Sequence, residues 1–408
     1  MTDSPPTEAQ APQQSVPASQ IFSAFLKLGL TSFGGPIAHL GYFRDEFVSR
    51  RKWFDERAYA DLVALCQFLP GPSSSQVGMG IGFSKGGLPG ALAAWVAFTA
   101  PSAILLMLAG FSMIHFSGIV DAGWVHGLKL VAVAIVAQAV WGMAGSLCPD
   151  RPRATLAILA TIIVLAYPSP FTQVGAIVIG GVAGRLVLKP DAADPGTAFA
   201  IKSGRTTGIA FLALFFVLLI SLPLLRPVIG DQGFTMFDSF YRSGSLVFGG
   251  GHVVLPLLQS EVVPPGWVSK DLFLAGYGAA QAIPGPLFTF SSYLGVVMSP
   301  EPNGWIGGLI CLVAIFLPSF LLIIGALPFW EALRQKPQVQ TALAGVNASV
   351  VGLLLAALYD PVFTSAVRTP VDFCIALAGF GLLMYWKTPP WVVVILTMGA
   401  GAAAAALA

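Results

Sequence analysis

Long apolar stretches without a charged residue make up much of the chain. Three of them extend over residues 86–120, 154–184 and 272–300. Because about 20 apolar residues suffice for a helix to cross a bilayer, each stretch can hold at least one membrane-spanning helix. The period-two alternation of a membrane β-barrel is absent. The pattern therefore predicts an all-α fold, that of a polytopic integral membrane protein.

Two interruptions of this apolar pattern are alike. The sequence FLKLGLTSFGGP at 25–36 returns as FYRSGSLVFGGG at 240–251, with a lone cation, Lys27 or Arg242, two residues before a glycine in each copy. Other pairs follow in the same order: Gln-x-x-Pro-Gly-Pro at 67–72 and 281–286, and Pro-Ser at 101–102 and 318–319. Because the offset stays close to 215 residues throughout, the chain contains a duplicated unit.

The duplication divides the chain into four parts. Residues 1–19 are predicted to be a disordered tail, 20–188 the first transporter repeat, 189–235 a linker with a connecting span, and 236–408 the second repeat. Within each repeat, two hydrophobic segments are interrupted by a glycine motif or by Pro-Gly-Pro. Glycine frees the backbone and proline lacks an N–H donor, so we expect broken or re-entrant helices there. The chain then has about 10–13 membrane segments.

Basic residues predict how the two repeats are oriented. The loop at 44–57 contains five Lys or Arg residues, whereas its counterpart at 259–271 contains only Lys270. Cytoplasmic loops are enriched in Lys and Arg, so we expect the first loop in the cytoplasm and its counterpart outside. A single unduplicated span at 206–225 would produce this inversion. Inverted-topology repeats with broken helices are a recurring plan of secondary transporters.

Composition narrows the classes of function. Of the 408 residues, 56% are hydrophobic and 10% are charged. Soluble domains contain roughly 25% charged residues, so the chain is not one of them. A net charge of +2 gives no reason to expect nucleic acid as a partner. The four cysteines are far apart in the sequence, which is the pattern expected of cysteines that only pack in the interior. No Walker, zinc or nucleophile motif is present. We therefore expect a secondary transporter rather than an enzyme, with no cofactor.

The duplicated motif supplies the first candidate binding residues. Charge and unwound backbone at membrane depth are costly and are tolerated where they line a site. Lys27 and Arg242 could present a cation pair to an anion, or could be long side chains that reach the interface. The glycine motifs free backbone N–H groups at the positive end of a half-helix, although small residues also serve close helix packing. These motifs comprise Ser32, Gly34, Gly35 and Pro36 in the first repeat and Gly249, Gly250, Gly251 and His252 in the second.

The Pro-Gly-Pro segments supply a second set, because exposed amides and hydroxyls suit a tetrahedral oxyanion; an ordinary loop is the alternative. This set consists of Pro70, Gly71, Pro72 and Ser73, with Pro284, Gly285 and Pro286. Glu46, Glu261 and His252 are candidates for binding a coupling proton. For the two glutamates, a solvated carboxylate that pairs with Arg44 or Arg50 is the alternative.

The combination of motifs resembles the chromate ion transporter family in its long, two-repeat form. The resemblance is carried by FGGP at 33–36, GGGHVVLP at 249–256 and the two Pro-Gly-Pro segments. It implies efflux of chromate across the bacterial inner membrane, giving chromate resistance, with sulfate as a competing anion. The implied partners are a chromate-like or sulfate-like divalent oxyanion and the lipid bilayer, and a homodimer is left open.

Without the resemblance, the residues indicate an anion transporter but not which anion. An importer or exchanger of sulfate or another oxyanion would share every anion-binding feature. An anion channel and a membrane-embedded enzyme are the remaining alternatives, and the enzyme would require a catalytic constellation that the sequence does not contain.

The charge pattern makes a prediction about topology. We expect the N-terminus in the cytoplasm and Ala408 in the periplasm, because the basic loop at 44–57 and its nearly uncharged counterpart should lie on opposite sides. Alkaline phosphatase and green fluorescent protein fusions at both ends measure this directly. A C-terminus that is active in the cytoplasmic reporter would contradict inverted repeats.

Overall fold

The protein is built from helices, with no strand among the residues that the computed structural model describes: 16–115, 123–189, 204–248, 251–330, 332 and 336–407. This confirms the all-α prediction. The helices of the first half are α1 (Ala18–Thr31), α2 (Gly35–Arg44), α3 (Glu56–Phe68), α4 (Ser73–His115), α5 (Gly123–Leu147), α6 (Arg151–Ala166) and α7 (Pro170–Val187). Of the predicted tail, residues 1–15 lie outside the described residues, and α1 already begins at Ala18.

The second half repeats this order after a connecting helix, α8 (Arg205–Ile229). Its helices are α9 (Gln232–Ser245), α10 (Val254–Val262), α11 (Lys270–Ala280), α12 (Phe290–Val297), α13 (Gly304–Ala326), α14 (Pro337–Ala357), α15 (Pro370–Met384) and α16 (Pro390–Leu407). Short 3-10 turns, Gly251–Val253 and Leu287–Thr289, precede α10 and α12. Helices α12 and α13 correspond to the two parts of α4, which is interrupted at Gly87 by a backbone with φ 61° and ψ −153°.

The helices include several that can cross a membrane. Among the described residues, six are long and apolar enough by length and composition: α4, α5, α8, α13, α14 and α16, where α13 and α14 are counted together with the helical turns that follow them. The 43 residues of α4 exceed the roughly 20 that one crossing needs, which agrees with its break at Gly87. The multi-pass membrane architecture is thus present in the structure.

The predicted breaks at the glycine motif and at Pro-Gly-Pro are also present. Helix α1 ends at Thr31, and α2 begins only after Gly34, whose φ of +98° lies in the left-handed region. Helix α3 ends at Phe68 and α4 begins at Ser73, with Gly71 at φ +120° between them. A residue with a side chain rarely adopts these angles, so glycine is required where the chain turns.

Buried aromatic rings hold the first-half helices together. Phe25 on α1 lies 5.5 Å from Phe43 on α2, and Phe43 lies 5.0 Å from Phe98 on α4, measured between ring centroids in edge-on arrangements. All three rings are buried. Such pairs stabilise packing by about 0.5–1.5 kcal/mol beyond the area they bury. The cluster fixes both arms of the broken helix against α4.

The two Pro-Gly-Pro loops cross between the halves of the protein. The Gly71 N–H donates to the Val247 carbonyl at 2.7 Å, and the Gly285 N–H donates to the Ser32 carbonyl at 3.0 Å. Ser32 and Val247 occupy equivalent positions of the duplicated unit, just beyond the ends of α1 and α9. Each loop therefore provides a donor for a carbonyl that the broken helix of the other half leaves without a helical partner.

The crossing depends on two glycines that also lack room for a side chain. A Cβ at Gly71 would collide with the Ser319 hydroxyl, and one at Gly285 would press on the Ser102 hydroxyl, again an equivalent pair. Gly285 has a φ of +107°.

We therefore expect Gly71→Ala and Gly285→Ala each to destabilise the protein by about 1–3 kcal/mol, because strained backbone and a collision add up. Thermal unfolding of the purified protein in detergent measures this. Gly175→Ala in α7 is the matched control, since a Cβ there meets nothing within 4 Å, and a Gly-to-Ala change in a helix interior is neutral or stabilising. Equal unfolding temperatures for all three variants would contradict the role assigned to the crossing loops.

Candidate functional site

A small cavity lies where the broken helices of the two halves meet. Its volume is about 70 Å³, enough for more than one water-sized group. The residues that line it come from both halves: Gly34, Gly35, Pro36, Ile135, Gln138, His252, Ala280, Gln281, Ile283, Gly285, Leu287 and Pro390.

Four helical segments begin at this cavity. Gly34 caps α2, whose first residues are Gly35 and Pro36, and His252 lies in the turn that leads into α10. Leu287 begins the turn that leads into α12, and Pro390 is the first residue of α16. A helix start presents free N–H groups and a partial positive charge of roughly half an elementary charge. The convergence of four helix starts therefore favours a negatively charged occupant.

None of the described residues that line the cavity is an Asp, Glu, Lys or Arg. Within the described part of the chain, the buried Gln281 Nε2 has no hydrogen-bond partner. Gln138 Nε2 lies 3.5 Å from the Leu383 carbonyl, a long and weak contact. His252 Nδ1 lies 2.7 Å from the Tyr277 hydroxyl, which orients the ring. The Gln281 amide is thus a donor without a partner at the cavity.

Equivalent positions of the duplicated unit meet beside this cavity. Pro36 and Gly251 correspond in the sequence, and the ring of Pro36 lies where a Cβ on Gly251 would touch it at 3.1 Å. Together with the crossed bonds of Gly71 and Gly285, this contact shows reciprocal pairing of equivalent positions from the two halves.

Part of the predicted site is brought together here, and part is not. Gly34, Gly35, Pro36, His252 and Gly285 line the cavity. Ser32 and Gly251 lie beside it through the contacts just described, while Gly249 and Gly250 lie outside the described residues. The first Pro-Gly-Pro segment is not part of the lining: Pro70, Gly71, Pro72 and Ser73 are absent from it, and Gly71 contacts Val247 and Ser319 instead. Pro284 and Pro286 only flank the lining residue Gly285.

One known protein family matches both halves of the chain. The family model described as "Chromate transporter" matches residues 19–185 and again residues 234–403. The chain belongs to the chromate transporter family. The two matched segments correspond to the two halves that the helices α1–α7 and α9–α16 form.

Individual relatives agree with the family. A chromate transport protein of Pseudomonas aeruginosa is 28% identical over 397 residues, covering 96% of this chain and 92% of the relative. A chromate transport protein of Cupriavidus metallidurans is 25% identical, covering 90% of this chain and 88% of the relative. An uncharacterised transporter of Bacillus subtilis is 34% identical over 122 residues, which are 29% of this chain and 66% of that protein. No solved structure matches.

Neither cation of the predicted pair, Lys27 or Arg242, is among the residues that line the cavity. Lys27 is exposed on the outer surface of α1, and its side chain makes no hydrogen bond or ion pair with a described residue. Arg242 instead lies between two carboxylates, donating from Nη1 to Glu261 at 2.8 Å and from Nε to Asp238 at 3.1 Å. The sequence could not show this difference, because Asp238 has the uncharged Ser23 as its counterpart in the first half. Arg242 thus has protein partners, whereas the Lys27 side chain has none among the described residues.

The two glutamates proposed to carry a coupling proton are both in ion pairs. Glu261 binds Arg242 with both of its carboxylate oxygens, at 2.8 and 3.0 Å. Glu46 is buried, but it binds Arg50 at 2.8 Å and Arg51 at 2.6 Å. Burial raises the pKa of Glu46, while hydrogen bonds from Arg51 and Arg50 outweigh it and hold the pKa below its ordinary value. Glu46 is therefore ionised at neutral pH. Of the expected partners it binds Arg50 but not Arg44, which pairs with Glu56, and its carboxylate is buried rather than solvated.

Sequence reasoning missed several residues that line the cavity. Gln138 lies in the middle of α5, and Pro390 begins α16. The only local signal was an amide within an apolar helix, which also serves helix packing. Gln281 was visible as part of the repeated Gln-x-x-Pro-Gly-Pro motif, although the motif alone did not show that its side chain points to a cavity.

The ion pairs of Arg242 predict different effects of two equivalent substitutions. Arg242→Gln should destabilise the protein by about 3–5 kcal/mol, because it leaves the buried carboxylates of Asp238 and Glu261 without their main partner. Lys27→Gln should change stability little, since that side chain is exposed. Thermal unfolding in detergent, together with chromate affinity per unit of membrane protein, tests both. Normal stability with weakened affinity in the Arg242→Gln variant would instead make Arg242 a substrate ligand.

Proposed function

We propose that this protein exports chromate across the bacterial inner membrane by secondary active transport, and that the cavity is its oxyanion site. The observation that carries the proposal is the meeting of four helix starts around an uncharged, amide-bearing cavity. Helix starts and N–H donors bind oxyanions without a full charge, so the ion is held and can still leave. The names of the Pseudomonas and Cupriavidus relatives point to chromate as the ion.

Alternating access follows from inverted repeats, which we propose for the two halves. The meeting of Pro36 with Gly251 and the crossed loops support a two-fold axis. The basic residues at 44–57 and the unduplicated α8 support an axis that lies in the membrane plane. In such an arrangement the rocking of one repeat against the other exposes a fixed central site to each side in turn. The boundaries of the two repeats, 20–188 and 236–408, are part of this proposal.

We propose that the protein exchanges the oxyanion for protons and that the proton gradient drives this exchange. His252 is the titratable residue among the described lining residues, and its bond to Tyr277 ties it to α11. Glu261 and Glu46 are less suited, because each is occupied by arginine. An exchange requires that the proton and the oxyanion bind in turn, so we propose that His252 takes up its proton after the oxyanion has left.

Sulfate competes in this proposal, because it is also a tetrahedral divalent oxyanion and the cavity offers no group that distinguishes the two by charge. Chromate uptake into everted and right-side-out vesicles, with and without sulfate and a proton gradient, tests the proposal. We expect uptake in everted vesicles that depends on the gradient and is reduced by sulfate. Uptake confined to right-side-out vesicles would favour an oxyanion importer, and flux that is independent of the gradient would favour a channel.

The cavity predicts the effect of removing one amide. Gln281→Leu should weaken the apparent chromate affinity about tenfold, because the unpartnered Nε2 donor is lost from the lining. Gln67→Leu is the matched control, since Gln67 is the equivalent residue of the first half and its side chain is exposed. The measurement is the concentration dependence of uptake in everted vesicles. Equal losses in the two variants would show that Gln281 does not contact the ion.

A further inference from the structure

An ion pair joins two of the elements that line the cavity. The Lys129 ammonium on α5 donates to Asp271 Oδ1 at 2.6 Å, and Asp271 lies in the first turn of α11. The lysine side chain is 6% exposed, whereas the aspartate side chain is 42% exposed. Lys129 has no charged counterpart in the second half, where Ala344 stands. This cation is therefore not a feature that the duplication explains.

The two helices that carry the pair also carry residues that line the cavity. On α5, Ile135 and Gln138 line the cavity and follow Lys129 by about 9 and 14 Å of helix rise. On α11, the lining residue Ala280 follows Asp271 by about 14 Å. The two helices also pack against each other, with Gly278, two residues before Ala280, against the carbonyl of Leu128, the neighbour of Lys129. Both helices thus lead from the ion pair to the same cavity.

Asp271 has a second cation within reach on its exposed side. Arg368 Nη2 lies 3.8 Å from the same Asp271 Oδ1, and 61% of the arginine side chain is exposed. Lysine, by contrast, is buried and depends on a carboxylate for compensation of its charge. The Asp271 carboxylate can therefore leave Lys129 and be stabilised by Arg368 and water instead. This requires that another anion binds the Lys129 ammonium.

A divalent oxyanion is suited to that place. It carries twice the charge of a carboxylate, so it is attracted more strongly by a poorly solvated ammonium. We propose that Lys129 is a second oxyanion-binding residue, on the substrate path between the cavity and the surface where α11 begins, and that Asp271 occupies it until the oxyanion displaces the carboxylate. This inference rests on the proposed function of the cavity.

The Lys129–Asp271 pair differs from the neighbouring ion pairs in the burial of its cation. Lys270 and Asp360 also pair near the start of α11, but at 3.8 Å and with both side chains 52% exposed. His126, one turn before Lys129 on α5, binds Asp372, which also caps α15 through the Thr369 N–H. Exposed pairs contribute little and carry solvated charges. Lys129 is the buried cation of this group, and so the one that needs an anionic partner.

Four variants test the inference. Lys129→Gln should raise the KM for chromate about tenfold, because the path loses its cation. Asp271→Asn should have the opposite effect on binding: sulfate, used as the probe, should bind the purified protein several-fold more tightly, because the competing carboxylate is gone. Lys129→Arg should retain most of the affinity, since the charge is kept. Lys270→Gln is the matched control and should leave both quantities unchanged.

The two substitutions of the pair separate the inference from a purely structural role. If the pair only held α5 and α11 together, Lys129→Gln and Asp271→Asn would both lower the unfolding temperature and neither would tighten sulfate binding. That result overturns the inference, as does a Lys129→Gln variant that behaves like Lys270→Gln. If Lys129→Gln does not reach the membrane, Asp271→Asn decides alone, and unchanged sulfate binding overturns the inference. Wild-type protein that binds neither chromate nor sulfate overturns the proposed function itself.

Discussion

The structure depends on how it satisfies backbone groups where helices stop inside the apolar interior. A carbonyl without a partner at that depth costs several kcal/mol, since no bulk water is available to replace the lost bond. The protein meets this constraint reciprocally: Gly71 donates to Val247, and Gly285 donates to Ser32. Each half therefore supplies a donor to the broken helix of the other half. The duplicated unit is therefore interlocked at the point where the helices part and leave a cavity.

The placement of charge follows from the same constraint. The described lining of the cavity contains partial charges from helix starts and amides, whereas full charges occur in pairs away from it, as at Arg242 with Glu261 and at Lys129 with Asp271. A permanent cation in the cavity would bind a divalent anion tightly and slow its release. Helix starts attract the ion with fractional charge and do not require a counter-ion when the cavity is empty.

Sequence reasoning succeeded where the covalent chain itself forces the geometry. Gly34 and Gly71 with their neighbouring prolines permit few backbone conformations, so the breaks between α1 and α2 and between α3 and α4 were predictable. It failed where the outcome depends on which surface a side chain faces. Lys27 and Arg242 have equivalent positions, yet one is exposed and the other is bound by carboxylates. Gln138 joins the cavity only because α5 packs on elements far away in the sequence.

The unequal partners of these equivalent cations give the two broken helices different mechanical properties. In the second half, Arg242 on α9 binds Glu261 on α10, so an ion pair of low exposure ties the two arms together. In the first half, the equivalent Glu46 binds Arg50 and Arg51 of its own loop, and no described bond joins its carboxylate to Lys27 on α1. The arms of the first half are held by aromatic packing around Phe43, which is less directional than an ion pair and allows rings to slide. The duplicated unit thus has one pair of arms joined by an ion pair and one pair joined by aromatic packing, an asymmetry that the proposed movement of one half against the other could use.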